Sequence, residues 1–184
     1  TGFLIAIPVG LLLATLITSF PLLNAAMSPY ITFLVTTPLV SLIPLLMLMM
    51  GYGMNMRITT VVIQSFAVIN MNACTGFNNV PTLRRELMQS VGASRFQSYR
   101  MMILPSAATD IITGLRLAAI FATTTCISVE YNAGNTGLGS QIIKYSQYLQ
   151  TTQSFACIFY VTVIGLIMYG LITLIQKKIV NWEE

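Results

Sequence analysis

Few residues in this chain could do covalent chemistry. Its 184 residues include no histidine, which removes the commonest general base and the commonest metal ligand. Cys74, Cys126 and Cys157 lie in apolar stretches, are odd in number and show no metal-ligand spacing. They read as small buried hydrophobes. There is no G-x4-G-K-S/T phosphate loop, so the chain has no usual means of binding and splitting ATP. What remains is a set of polar side chains inside apolar runs: Gln64, Asn70 and Asn72, then Thr123, Thr124 and Thr125, then Glu130. Such groups are costly against lipid, and Glu130, the only acid outside the water-facing basic zones, is a functional candidate by default. Their chemistry is hydrogen bonding to a small polar solute, with no bond broken.

A second set is built for contact. Glu86 to Pro105, read as ELMQSVGASRFQSYRMMILP, is the longest interruption of an otherwise apolar sequence. Arg84, Arg85, Arg95 and Arg100 lie in or beside it. A polar, basic segment between apolar spans must face water, and its positive excess marks that water as cytoplasmic. Pro81 and Thr82 read as a helix start, with a helix over Arg84 to Val91. Gly92 suits a break, and Ala93-Ser94 a restart with Ser94 as cap. Leu87, Met88 and Val91 share one face of this short helix. On a cytoplasmic helix such a face needs a partner groove.

The elements that must position both sets are membrane spans. The chain is 55% hydrophobic and 8% charged, where a soluble domain carries roughly 25% charged residues. The fold expected is an all-α polytopic helical bundle. The net charge of +4 follows the positive-inside rule and says little about cargo. No basic stripe is interleaved with aromatics, so nucleic-acid binding is not supported.

Five spans are expected: Gly2 to Ser19, Tyr30 to Met50, Arg57 to Phe77, Ile111 to Val129 and Ser154 to Ile175. Phe20 to Pro29 reads as a loop. Pro38 and Pro44 bend the second span, either beside a pathway or as packing kinks. Asn70 and Asn72, two positions apart, cannot both face one pore, and one of them can bond a neighbouring helix instead. Arg116 can snorkel or pair with Asp110. Three successive threonines point different ways, so at most two line a path; the others bond the preceding turn. Asn132 to Gly139 is a turn, and Ser140 to Thr152 a short outer helix or a re-entrant loop. Lys177 and Lys178 read as cytoplasmic anchors. This topology puts Thr1 outside.

The spacing of Glu86, Gly92 six residues later, and Met102-Ile103-Leu104-Pro105 after nine more resembles the permease subunits of ATP-binding-cassette (ABC) importers. Their signature is E-A-A, three residues, G, nine residues, I-x-L-P. Leu87 and Met88 replace the alanines and Met102 the isoleucine, all apolar. The run ITGLRLA from Ile112 to Ala118, Glu130, and the run TGLG from Thr136 to Gly139 resemble the sulfonate, taurine and nitrate branch.

The resemblance implies one permease domain over residues 1–184, with a cytoplasmic coupling segment at 82–105. It implies that Glu86, Leu87, Met88, Gly92, Ala93 and Ser94, with Arg95, Leu104 and Pro105, couple to an ABC ATPase subunit. Arg84 would join Glu86 and Arg95 in fixing orientation. ATP and magnesium would bind on that ATPase, and this chain would hold no cofactor and catalyse nothing. Further partners implied are an extracytoplasmic solute-binding protein, a second permease copy in a homodimer, and the lipid of a bacterial inner membrane. The path candidates are Gln64, Asn70, Thr123, Thr124 and Glu130. The family has six core spans with both ends inside, so the resemblance implies one further span before Thr1. The alternative is a gradient-driven secondary transporter or channel, which would need intramembrane acids or histidines as coupling sites. A membrane scaffold without transport is the third reading.

Overall fold

The computed structural model describes residues 1–134 and 136–179, with only the helical backbone for residues 177–179. The expected anchors Lys177 and Lys178 therefore lie outside the described side chains. The described elements are helical: α1 (Gly2–Ser19), α2 (Pro21–Thr36), α3 (Leu39–Met50), α4 (Met54–Asn78), α5 (Thr82–Ser90), α6 (Arg95–Ser98), α7 (Leu104–Ser106), α8 (Ala108–Ala133), α9 (Leu138–Gln147) and α10 (Thr151–Ile179). A π-helical turn, Tyr99–Ile103, joins α6 to α7. Helices α1, α4, α8 and α10 are each long and apolar enough to cross a membrane, and the bent pair α2–α3 makes a fifth crossing if taken as one.

The second span departs from expectation. Helix begins at Pro21, inside the expected loop, because proline at the first helical position loses no bond and brings its φ already set. The expected run Tyr30 to Met50 is then divided, with α2 and α3 bent by 98°. Pro38 is the cause: the residue before a proline is pushed out of the helical region, and Thr37 is extended at φ −70°, ψ 125°. Pro44 is accommodated inside α3.

α4 is the centre of the bundle, with about half of its span buried, against 6% for α10. Small residues let backbones approach it from both sides. On one side α1 runs parallel, with Gly2 against Ile58 and Val61 and Gly10 against Phe66 and Ile69. On the other, α8 runs antiparallel: Gly76 faces Ala107 and Asp110, Gly114 faces Asn72, and Met56 packs with Val129. A methyl group on Gly114 would stand 2.6 Å from Asn72 Cβ, so that crossing tolerates no side chain. α10 runs back along α8, with Ile172 on Ile112 and Ala119. The C-terminal ends of α1 and α4, helix α5 and the start of α8 thus share the basic end, the one expected from its charge to be cytoplasmic. The starts of α1 and α4, the end of α8 and α9 share the outer end.

Candidate functional site

The cytoplasmic segment is a pair of helices with a defined corner. After α5 the amide of Ala93 donates to Met88 O at 3.0 Å and that of Gly92 to Gln89 O at 3.0 Å. This double closure requires a left-handed residue, and Gly92 has φ +68°. The chain restarts at once through a reciprocal cap: Ser94 Oγ accepts from the Gln97 amide at 3.3 Å, and Gln97 Oε1 from the Ser94 amide at 2.8 Å. Pro105 has no amide to donate and crowds the carbonyl four residues back. The chain answers with the wider π turn just before it, in which the Leu104 amide bonds Tyr99 O.

Three bonds fix this segment to the spans. Arg85 donates to Phe77 O at the end of α4, at 2.8 Å. Arg84 donates to Ser106 Oγ at 3.0 Å, just before α8. Tyr99 Oη shares a 2.7 Å bond with Thr15 Oγ1 of α1, and its ring packs edge-on against Phe77. Arg84 is thus engaged within the chain. Glu86 and Arg95 are exposed and form no ion pair among the described residues.

What the segment presents is apolar. Leu87 is 57% exposed and Val91 74%, with Leu83, Phe96 and Met101 similarly open. Leu87, Met88 and Val91 face Met101, Met102 and Pro105 across a groove of about 520 Å³. Ala93 belongs to the corner, and Leu104 is half-open beside the groove.

At the outer end a second cavity, about 410 Å³, lies between α1, α4, α8 and α10. Of the expected path residues, Thr123 and Glu130 line it. The other three, Gln64, Asn70 and Thr124, lie elsewhere. Asn70 is fully buried between α4 and α1, its Nδ2 donating to Gly10 O at 3.1 Å. Asn72 donates to Val68 O of its own helix. Gln64 is buried within the bundle. The three threonines do point three ways: Thr123 to the cleft, Thr124 outward and Thr125 into the core, with Thr123 and Thr124 bonding their own preceding turn.

Glu130 is held firmly. Its Oε2 accepts from the Gly139 amide at 2.9 Å, in the first turn of α9, where a carboxylate meets the positive end of the helix. Gly137 has φ +111°, and any side chain there would occupy the Glu130 carboxyl. Arg57 donates to Thr136 O at 3.3 Å and ties the same turn to α4.

Sequence reasoning passed over Arg57, which also lines this cleft, and read Cys126 as a buried hydrophobe although it is exposed and lines the cleft; of its two readings of Arg116, snorkelling or pairing with Asp110, the second fails. Arg116 does not pair with Asp110. Six residues turn a helix through about 600°, which leaves the two on different faces. Its Nη2 instead reaches Thr113 Oγ1 at 3.4 Å and its Cζ lies 5.9 Å from the Tyr169 ring centroid on α10.

The arrangement defines a multi-pass helical membrane protein with an exposed apolar face at its basic end and, at the other end, a largely apolar cleft that Arg57, Thr123 and Glu130 enter. The sequence profile described as "Binding-protein-dependent transport system inner membrane component" matches residues 6–181. The chain belongs to that family of ABC importer permeases. It is 28% identical over 180 residues to the taurine transport system permease protein TauC of Escherichia coli K12, covering 98% of this chain and 64% of that protein. It is 30% identical over 184 residues to the glycine betaine/carnitine/choline transport system permease protein OpuCD of Bacillus subtilis, covering all of this chain and 76% of that one. In structure it matches a chain of the MetNI methionine ABC transporter in inward facing conformations, with TM-score 0.71 and 22% identity over 98% of this chain and 86% of that one.

Proposed function

We propose that this chain is the membrane-spanning subunit of an ATP-driven importer in a bacterial inner membrane. With a second copy it forms the path for a small polar solute that an external binding protein delivers. A separate ATPase, holding ATP and magnesium, docks on α5. The observation that carries this reading is the combination of exposure and attachment in α5. Its apolar residues are open to a partner, while Arg84, Arg85 and Tyr99 fix the same segment to α7 at the foot of α8, to α4 and to α1. A push on the exposed face is thereby delivered to three spans at once. Closure of two ATPases would draw two such helices together and turn the cavity from inward- to outward-facing as a rigid-body shift. The named cargo of the relatives, taurine in one and betaine, carnitine or choline in another, is small and polar, and Arg57, Thr123 and Glu130 give the largely apolar cleft groups that can meet such a solute.

Purification of the tagged chain from membranes in mild detergent, with its companions identified, tests this. A phosphate-loop ATPase and a solute-binding protein are expected. A chain that purifies alone under every mild condition would favour a gradient-driven carrier.

A further inference from the structure

A cavity of about 1030 Å³ lies behind the docking segment, between it and the C-terminal end of α1, and neither docking nor passage uses it. Arg85 and Gln89 enter it from α5, and Arg95, Ser98 and Tyr99 enter it from beyond the Gly92 corner. Arg85 follows Leu83 by two residues, about 200° around the helix, so this wall is the back of α5 and not its exposed apolar face. The facing wall is apolar. Leu12, Leu16 and Phe20 stand four residues apart along α1 and its C-cap, all three exposed. They form a stripe about 12 Å long that runs from the basic end into the span.

The polar wall carries positive charge and no negative one. Glu86, Asp110 and Glu130 all lie outside the lining, and neither arginine forms an ion pair among the described residues. Arg85 spends one N–H on Phe77 O at 2.8 Å, and Arg95 has no hydrogen bond among the described residues. The hydroxyl protons beside them are already spent. Thr15 donates to Leu11 O, which makes Tyr99 the donor to Thr15, and Thr18 and Ser19 donate to their own helix. The two guanidinium groups thus keep most of their donors for something that enters. Two such groups over an apolar stripe, at the water-facing end of a span, match a molecule with an anionic head and a hydrocarbon tail. We infer that this cavity binds an anionic phospholipid, its phosphate between Arg85 and Arg95 and an acyl chain along Leu12, Leu16 and Phe20. The bilayer supplies such lipids, and basic pockets between spans hold their headgroups. A free phosphate leaves the stripe unused. A zwitterionic headgroup brings a cation of its own and gains less from two arginines. The inference needs the chain to span a membrane and does not depend on the importer reading.

Native mass spectrometry of the full chain in a neutral detergent tests this, with dioleoyl phosphatidylglycerol and dioleoyl phosphatidylcholine titrated as competing probes. The first lipid held should be phosphatidylglycerol, favoured about twentyfold, or roughly fivefold for each arginine. Arg95→Gln changes an exposed side chain with no bond of its own, and should cut the preference about fivefold with the fold intact. Arg100→Gln removes the same charge from the same segment but outside the cavity, and should leave the preference within about twofold. Glycerol 3-phosphate, a phosphate head without the chains, should not displace the bound lipid at equal concentration. Equal occupancy by the two lipids would overturn the inference, as would a preference that Arg95→Gln leaves intact or that Arg100→Gln lowers as much. Displacement by glycerol 3-phosphate would make the cavity a site for free anions instead. Because none of these readouts needs an ATPase, a chain that purified without one would sink the importer reading and leave this result standing.

Discussion

α8 ends differently on the two sides of the membrane. At its outer end the chain closes on itself: the Glu130 carboxylate lies under Gly137 and Gly139, bonded to the first turn of α9, and Arg57 pins the turn from α4. At its cytoplasmic start the polar bonds face inward, through Arg84 to Ser106 and Arg85 to Phe77, while Leu83, Leu87 and Val91 stand in water. One end ties its carboxylate and its arginine to backbone groups within a single chain. The other holds its shape through caps and two arginines and leaves an apolar face uncovered. Under the proposed function the first end sets geometry, and the second is where a covering ATPase would apply force.

The contrast can be broken at several points. Leu87→Glu together with Val91→Glu should have the largest effect on partners. Co-purifying ATPase should fall at least tenfold, while stability in detergent moves by no more than about 0.5 kcal/mol, as for exposed sites. Unfolding of that variant would show the face to be packed after all. Gly137→Val should do the reverse. It forces a branched residue to φ +111° and displaces the Glu130 carboxylate, at a cost of about 3 kcal/mol measured as thermal unfolding, with any folded fraction still holding the ATPase. Glu130→Gln sharpens the point: an amide oxygen can still accept from Gly139, so about 1 kcal/mol should be lost with the charge, and transport should change with assembly intact. Tyr99→Phe removes the hydroxyl bond to Thr15 and should cost about 1 kcal/mol, loosening the tie between the docking segment and α1 without touching the docking face.

The corner between α5 and α6 was legible because its signals are local. Gly92 followed by Ser94 specifies a left-handed corner and a cap within three residues, and both are present in the structure. Four crossings were legible from apolar length, with the bent pair α2–α3 a fifth if taken as one, but the break at Thr37–Pro38 was not placed. A proline inside an apolar run reads equally as a kink or a break, and packing decides. Path residues were the least legible. Polarity marks Asn70 and Thr123 alike, yet only the position of α1 shows that Asn70 is taken up by Gly10 O.

The central claim is that α5 converts ATPase movement into movement of the spans, and Gly92 is where it is most exposed. Its φ of +68° excludes a branched side chain at a cost of about 1–2 kcal/mol, yet nothing lies within 4 Å of its Cβ position, so the fold elsewhere need not shift. The measurement is Gly92→Val in proteoliposomes with the co-purified ATPase and binding protein, following ATP hydrolysis and uptake of that binding protein's own solute together. The account predicts that hydrolysis continues while uptake falls at least tenfold. Hydrolysis and uptake both at wild-type rates would contradict it.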